Sequence, residues 1–467
     1  MKGKENKLFL IMLALVLAFA LLLTGAEVVF AETSAVAEYV AVDAVGAVTP
    51  TDSTLSNQTW TAVGSVDDFV FGGTSDSEKI YYYYLSSNIT TTETITIPVG
   101  NTVYLTLNGY VIDANNGLFS VITVEEDGIL NLYGDGNNYD VNGDLIADTD
   151  ETTEVAYSGG LITGGNGTDY GILRYGQTAW STTDSSTNYR AYFGGGVMVN
   201  GTFNMYGGSI SDIDFTGLEN ESTSVRIATS TTYSTSQQAT ISVSSKGSGA
   251  VAVDGATSGK FNMYGGYISD NASTSQMSNI GGGGVYVFDS SIYLEREAIT
   301  KGTVTYPVYY DVVVSEDDFF ENPYNETISY PTTITGGKFN MYGGTISGNT
   351  STDQDGGGVY VGAYSTINMS GGTISNNTAE NGGGVYSSYG EVNISAGTIT
   401  DNSAVNGGGV YSLYGKTTIS GGTITYNTAT TGGGVYSSYN EANISGGSIT
   451  YNTATDSGGG VYSIKGK

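Results

Sequence analysis

The sequence predicts an all-β chain wound as a parallel β-helix, a solenoid with three short strands in each lap of about 25 residues. Three observations carry that prediction. A glycine-rich string recurs at near-constant spacing, apolar residues alternate with polar ones between its copies, and 69 of 467 residues are glycine.

The string GGGVY begins at Gly356, Gly382, Gly407, Gly432 and Gly458, so successive copies lie 25 or 26 residues apart. A second string follows the first four: INMSGGTIS from Ile367, VNISAGTIT from Val392, TTISGGTIT from Thr417 and ANISGGSIT from Ala442. Degenerate copies start at Phe203, Phe261 and Phe339, and GGGV also occurs at Gly194 and Gly282. Within one unit, Val385-Tyr386-Ser387, Val392-Asn393-Ile394 and Thr398-Ile399-Thr400 each alternate with period two between Gly, Asn or Asp corners. Such alternation reads as strands. Propellers need four strands in about 40 residues and leucine-rich repeats a Leu consensus, which leaves the β-solenoid.

Stacked laps place like residues in columns. Val359, Val385, Val410, Val435 and Val461 are expected inward, as are Ile374, Ile399, Ile424 and Ile449, and Met369, Ile394, Ile419 and Ile444. Asn377, Asn402, Asn427 and Asn452 recur at one corner, where an asparagine ladder would satisfy turn backbone groups. Alternation sends Tyr360, Tyr386, Tyr411, Tyr436 and Tyr462 toward solvent, with Tyr364, Tyr389, Tyr414 and Tyr439 nearby around the corner. Exposed rings offer an apolar face and a polar tip to sugars, and they also stack across strands to stabilise a sheet. Thr373/Ser375, Thr398/Thr400, Thr423/Thr425 and Ser448/Thr450 flank the buried isoleucines. Such arrays are similar to some ice-binding surfaces, and threonine is also simply favoured on solvated strands. Glu391, Lys416 and Glu441 alternate in sign along one column, which avoids like-charge stacking.

The consensus GGTIS-N-x-T-A-x-x-x-GGGVY resembles bacterial right-handed parallel β-helix repeat proteins of the pectate-lyase-like superfold. Its GGTI and GGSI strings are loosely similar to repeats of polymorphic outer-membrane proteins. The resemblance covers Gly194 to the C-terminus, and Ile95–Asn101 and Leu105–Gly109 look like opening coils of such proteins. It implies a right-handed coil; it implies no single activity, because this superfold hosts many.

Composition narrows the function. Forty-six acidic residues against 15 basic ones give a net charge of −31, which argues against nucleic-acid partners. With no His and no Cys, an imidazole base, a Ser-His-Asp triad, disulfides and thiolate chemistry are excluded. Lys2, Lys4 and Lys7 precede the apolar run Leu8–Leu23, and Val29-Phe30-Ala31 supplies a cleavage site. Residues 1–31 therefore read as a signal peptide, 32–58 as a lead-in and 59–467 as the solenoid, exported to the bacterial cell surface or medium with no membrane span after cleavage.

Departures from the repeat fall at 213–248 and 289–335, expected as two long insertions, with regular coils over 336–467. The second carries Glu295, Glu297, Glu316, Asp317 and Asp318 among several aromatics. Asp140, Asn142, Asp144, Asp148 and Glu151, with the Ile146 carbonyl, match the oxygen spacing of a calcium loop. Leu145 stands where such loops have glycine. Ca²⁺ is thus the one cofactor the sequence suggests.

The expected role is non-catalytic: adhesion, scaffolding or contact with extracellular glycans or surface proteins. The alternative is a polysaccharide-active lyase or glycoside hydrolase, which would use carboxylates or a Lys or Arg base such as Lys260, Lys338, Arg174 or Arg190. Ice binding is a minor third. The chain stops just after GGGVY at Gly458, so end-to-end association or a further C-terminal region is expected.

Overall fold

A computed structural model describes residues 40–42, 48–50, 55–71, 79–139, 157–174, 188–216, 218, 221–228, 236–273, 281–290, 296–301, 304–309 and 336–466. The signal peptide and most of the lead-in lie outside these residues. Nearly all described structure is strand, interrupted by the 3₁₀ turns Val66–Asp68 and Gly255–Thr257. Among the described residues no helix is long and apolar enough to cross a membrane.

The repeats stack in parallel and in register, as the sequence pattern requires. One sheet has 19 strands, a second ten and a third six. One lap runs through Val410–Leu413, Lys416–Ile419, Thr423–Thr425 and Thr428–Thr431. Its second and third segments share the 19-stranded sheet, and in the preceding lap they fuse into a single strand, Glu391–Thr400. The six-stranded sheet comes from stretches such as Thr378–Asn381 and Ser403–Asn406, which sequence reading assigned to corners. Their alternation is carried by Thr, Ala and Asn, too small and polar to announce a strand.

The three inward columns form as expected except at their last members: Ile444, Ile449 and Val461 keep register, but Ile444 and Val461 are 42% and 41% exposed and Ile449 is half-buried. Val385 pairs with Val410 and Val410 with Val435, while Ile374, Ile399 and Ile424 align in the neighbouring sheet. Met369, Ile394 and Ile419 align likewise. These are essentially inaccessible and belong to one continuous core that begins at Val63. Each such side chain contributes roughly 2 kcal/mol by leaving water. Upstream, the stacked rings of Phe203, Phe261 and Phe339, 4.9 Å apart, fill the place later taken by Ile367 and Val392.

The corner asparagines form the expected ladder and extend it two laps upstream, to Asn271 and Asn349. Asn402 donates to the Asn427 side chain at 2.9 Å and to the Ile374 carbonyl at 3.0 Å. A second ladder, Asn204, Asn262, Asn340, Asn368 and Asn393, runs along the outer face of the 19-stranded sheet.

Both sequence departures contain antiparallel strands. Glu221–Ala228 pairs with Ser236–Ser248 inside a four-stranded sheet that also holds Thr168–Arg174 and Asn188–Phe193. In the second, Arg296–Lys301 pairs with Val304–Tyr309, and residues 310–335 lie outside the described structure.

Candidate functional site

The GGGVY tyrosines do point away from the main core, yet they do not form the solvent track expected for them. Tyr360 and Tyr386 are buried at 1% and 3% exposure, and Tyr411, Tyr436 and Tyr462 are half-buried. Together with Phe193, Tyr286 and Phe288 the first two make a second apolar cluster outside the ten-stranded sheet. Successive rings lie 4.6 to 5.4 Å apart. Burial follows the neighbours of each ring: those next to the Phe193, Tyr286 and Phe288 cluster are covered and those further along only half so. The first glycine of each triplet makes the same close approach in every lap; at Gly382, φ +64°, a Cβ would lie 2.7 Å from Cβ of Tyr386, a corner that only glycine permits.

Beneath these rings sits Asp355. Its carboxylate accepts a hydrogen bond from Asn381 Nδ2 at 2.7 Å, and Asn381 in turn accepts from Asn406 at 2.8 Å. Burial pushes the Asp355 carboxyl up to about 6, with Glu380 adding, while hydrogen bonds from Asn381 and the Tyr386 hydroxyl pull the other way. Burial also raises the Tyr386 phenol, helped by the Asp355 charge. The group is a constituent of the wall.

The exposed aromatic column is the one around the corner. Tyr364, Tyr389, Tyr414 and Tyr439 are 60%, 57%, 43% and 44% exposed. All four occupy the left-handed backbone region, with φ between +49° and +62°. Lys465 takes the same place in the following lap at φ +54°. Rings of Tyr389 and Tyr414 stack at 4.8 Å and those of Tyr414 and Tyr439 at 4.9 Å. The Lys465 ammonium caps this stack, 4.8 Å from the Tyr439 ring centre.

Tyr364 departs from the stack. Four residues separate Val385 from Tyr389, Val410 from Tyr414 and Val435 from Tyr439, but five separate Val359 from Tyr364. The added residue in Gly362-Ala363 turns the Tyr364 ring aside, and among the described residues no ring stacks on the Tyr364 side of Tyr389. An open groove of about 380 Å³ results, lined by the two rings with Ser365, Thr366, Glu391 and Lys416. Lys416 Nζ donates to Glu391 at 3.1 Å across adjacent laps, as the sign alternation predicted.

Other expected sites are placed as follows. Glu441 pairs in register beside Lys416, and Lys260 lies beside Lys338 further upstream in the same column. The threonine pairs align on the outer face of the 19-stranded sheet, half-buried in most laps. Beside them Tyr426 and Tyr451 form another exposed stacked pair at 5.2 Å, which the sequence reading passed over. Tyr426 follows Thr-Ile-Thr and Tyr451 follows Ser-Ile-Thr, and each precedes the ladder asparagine, the corner position held by Asn376 and Asp401 in earlier laps. The calcium-loop residues, Asp140, Asn142, Asp144, Ile146, Asp148 and Glu151, lie outside the described residues. At that loop's ends Asn138–Tyr139 pairs antiparallel with Tyr157–Ser158, and the two tyrosines stack at 5.3 Å.

Comparison with protein-family models, with curated proteins and with solved structures finds no match to this chain.

Proposed function

We propose that this chain is an exported, cell-surface or extracellular parallel β-helix, right-handed and of the pectate-lyase-like superfold, that contacts glycans without cleaving them. The observation that carries the reading is the run of tyrosines in left-handed backbone conformation at four successive corners. A bulky residue there costs on the order of 1–3 kcal/mol of strain, and such strain gathers at functional positions. The neighbouring corner adopts the same region with Asn376 and Asp401, residues that tolerate it, in two laps and with Tyr426 and Tyr451 in two others. What tyrosine adds at such a corner is an exposed ring with a hydroxyl tip. Its amphipathic character suits carbohydrate, which presents apolar ring faces between hydroxyls.

The rigid wall beneath supports the same role, since a recognition surface benefits from side chains fixed before binding. Binding of the purified protein to immobilised neutral and acidic polysaccharides and to matrix proteins tests the proposal. Retention on at least one glycan is expected; uniform failure to bind any of them removes it.

A further inference from the structure

We propose that the opening between Tyr364 and Tyr389 is a subsite for a single neutral pyranose ring of a polysaccharide. The inference rests on the glycan-contacting reading and specifies where on the aromatic column, and for which sugars, contact is made.

Stacked rings hide their faces. Between Tyr389, Tyr414 and Tyr439 the spacing of 4.8 to 4.9 Å leaves only edges and hydroxyls exposed, and at the far end the Lys465 ammonium donates to the Tyr439 hydroxyl, 4.8 Å from that ring's centre. The face of Tyr389 turned toward Tyr364 is the one left open. The corners stay joined there one residue out of step: the Tyr364 N–H donates to the Tyr389 carbonyl at 3.2 Å, whereas the Tyr389 N–H reaches Leu413, the residue before Tyr414, at 2.8 Å. That backbone offset carries the two rings apart, so the slot is built in. Its volume of about 380 Å³ lies at the small end of ligand sites, which run from about 300 to 1,000 Å³.

The groove also supplies hydroxyl partners. Glu391 has free lone pairs to accept, and Lys416 has two N–H donors beyond the one given to Glu391. Both are partly exposed at the groove edge. Polarity of this kind, one acceptor and one donor around two aromatic faces, matches a polyhydroxylated ring. Charge chooses among sugars: the Lys416 cation is already paired, and the chain carries a net charge of −31. A uronate would meet that field unfavourably, whereas a neutral ring would not.

Isothermal titration of the full chain with neutral β-glucan, xylan and mannan oligosaccharides, and with oligogalacturonate as the acidic comparison, tests the slot. The wild-type chain is expected to bind one neutral series and not the uronate. Tyr364→Ala and Tyr389→Ala should each weaken binding about tenfold, the scale of a lost aromatic contact. Tyr364→Phe should bind as wild type, and so should Tyr426→Ala on the other corner. Deleting Ala363, which gives this corner the length of the others, should close the slot and abolish binding, with an unchanged circular dichroism spectrum showing that the laps persist. Wild-type binding that survives the Tyr364 and Tyr389 substitutions overturns the subsite and leaves the general glycan reading standing. Preference for the uronate overturns the assignment to neutral sugars, and a wild-type chain inert to every series, or one retained only by matrix proteins, overturns subsite and general reading together.

Discussion

Asn377 donates its side-chain amide to Oδ1 of Asn402 across 3.0 Å, and the Asn377 backbone N–H reaches the same oxygen at 3.0 Å. Asn402 passes its own amide hydrogens onward to Asn427 and to the Ile374 carbonyl. The ladder therefore ties three laps through one fully buried side chain. Removing it strands several buried polar groups at once, each worth roughly 1–3 kcal/mol. Asn402→Ala is expected to lower unfolding free energy by about 2–4 kcal/mol, read from urea denaturation with an unchanged slope.

Asp355 makes stability depend on pH in a direction opposite to the usual carboxylate. Its folded value of about 6 lies above that of an ordinary aspartate, so the native state holds the proton more tightly than the unfolded chain. Its contribution is complete below pH 4, declines between about pH 4 and 6 and is gone above. Asp355→Asn keeps an acceptor for Asn381 and removes the buried charge. The variant should gain up to about 3 kcal/mol at pH 7.5 and nothing at pH 4. A gain of equal size at both values in thermal unfolding contradicts the assignment.

Ile424 tests the core column. Ile424→Ala should cost about 2–5 kcal/mol through lost burial and the cavity left behind, while Thr423→Ala, one residue away on the outer face, should cost under about 1 kcal/mol. Parallel denaturation curves of the two variants make the comparison.

Tyr364 offers a separation of stability from binding. It holds φ +62° without a ring stacked upon it among the described residues, so its strain is not offset by aromatic packing. Tyr364→Asn suits that backbone better. Its melting temperature should be unchanged or higher than wild type, while glycan retention falls.

The acidic stretch 140–151 is proposed to bind Ca²⁺. Calorimetric titration should give a single-site isotherm that the double substitution Asp140→Ala with Asp144→Ala abolishes. Calcium should also raise the melting temperature of the wild-type chain, by the linkage of ligand to the folded state. An isotherm indifferent to the double substitution refutes the loop as the site.

Much of the fold was legible because repetition does the work of an alignment. A valine seen once says little, but Val385, Val410 and Val435 at fixed spacing say that one side chain faces one place in every lap. The asparagine ladder was readable for the same reason. The strand at Ser403–Asn406 was not, since Ser, Ala, Val and Asn carry too little apolar contrast to mark a period. The candidate site was half legible. Alternation correctly put the Tyr386 column outside the main core, but alternation reports only which side of a sheet a residue takes. It does not report what lies over that side. The covering comes from Phe193, Tyr286 and Phe288, side chains supplied by laps well upstream of Tyr386. Tyr389, at a corner followed by Gly390, was the better candidate, and its position after the strand was the available signal.

The extra residue at Gly362-Ala363 has a bearing on how such a wall can change over time. Copying a lap multiplies whatever the lap already has and creates nothing singular. A one-residue slip at a bend costs the interior nothing, because Thr366 and Glu391 regain their partnership two residues later. It gives an otherwise uniform surface a unique address, and new specificity in this architecture can arise from miscounting at the bends with every buried row left intact.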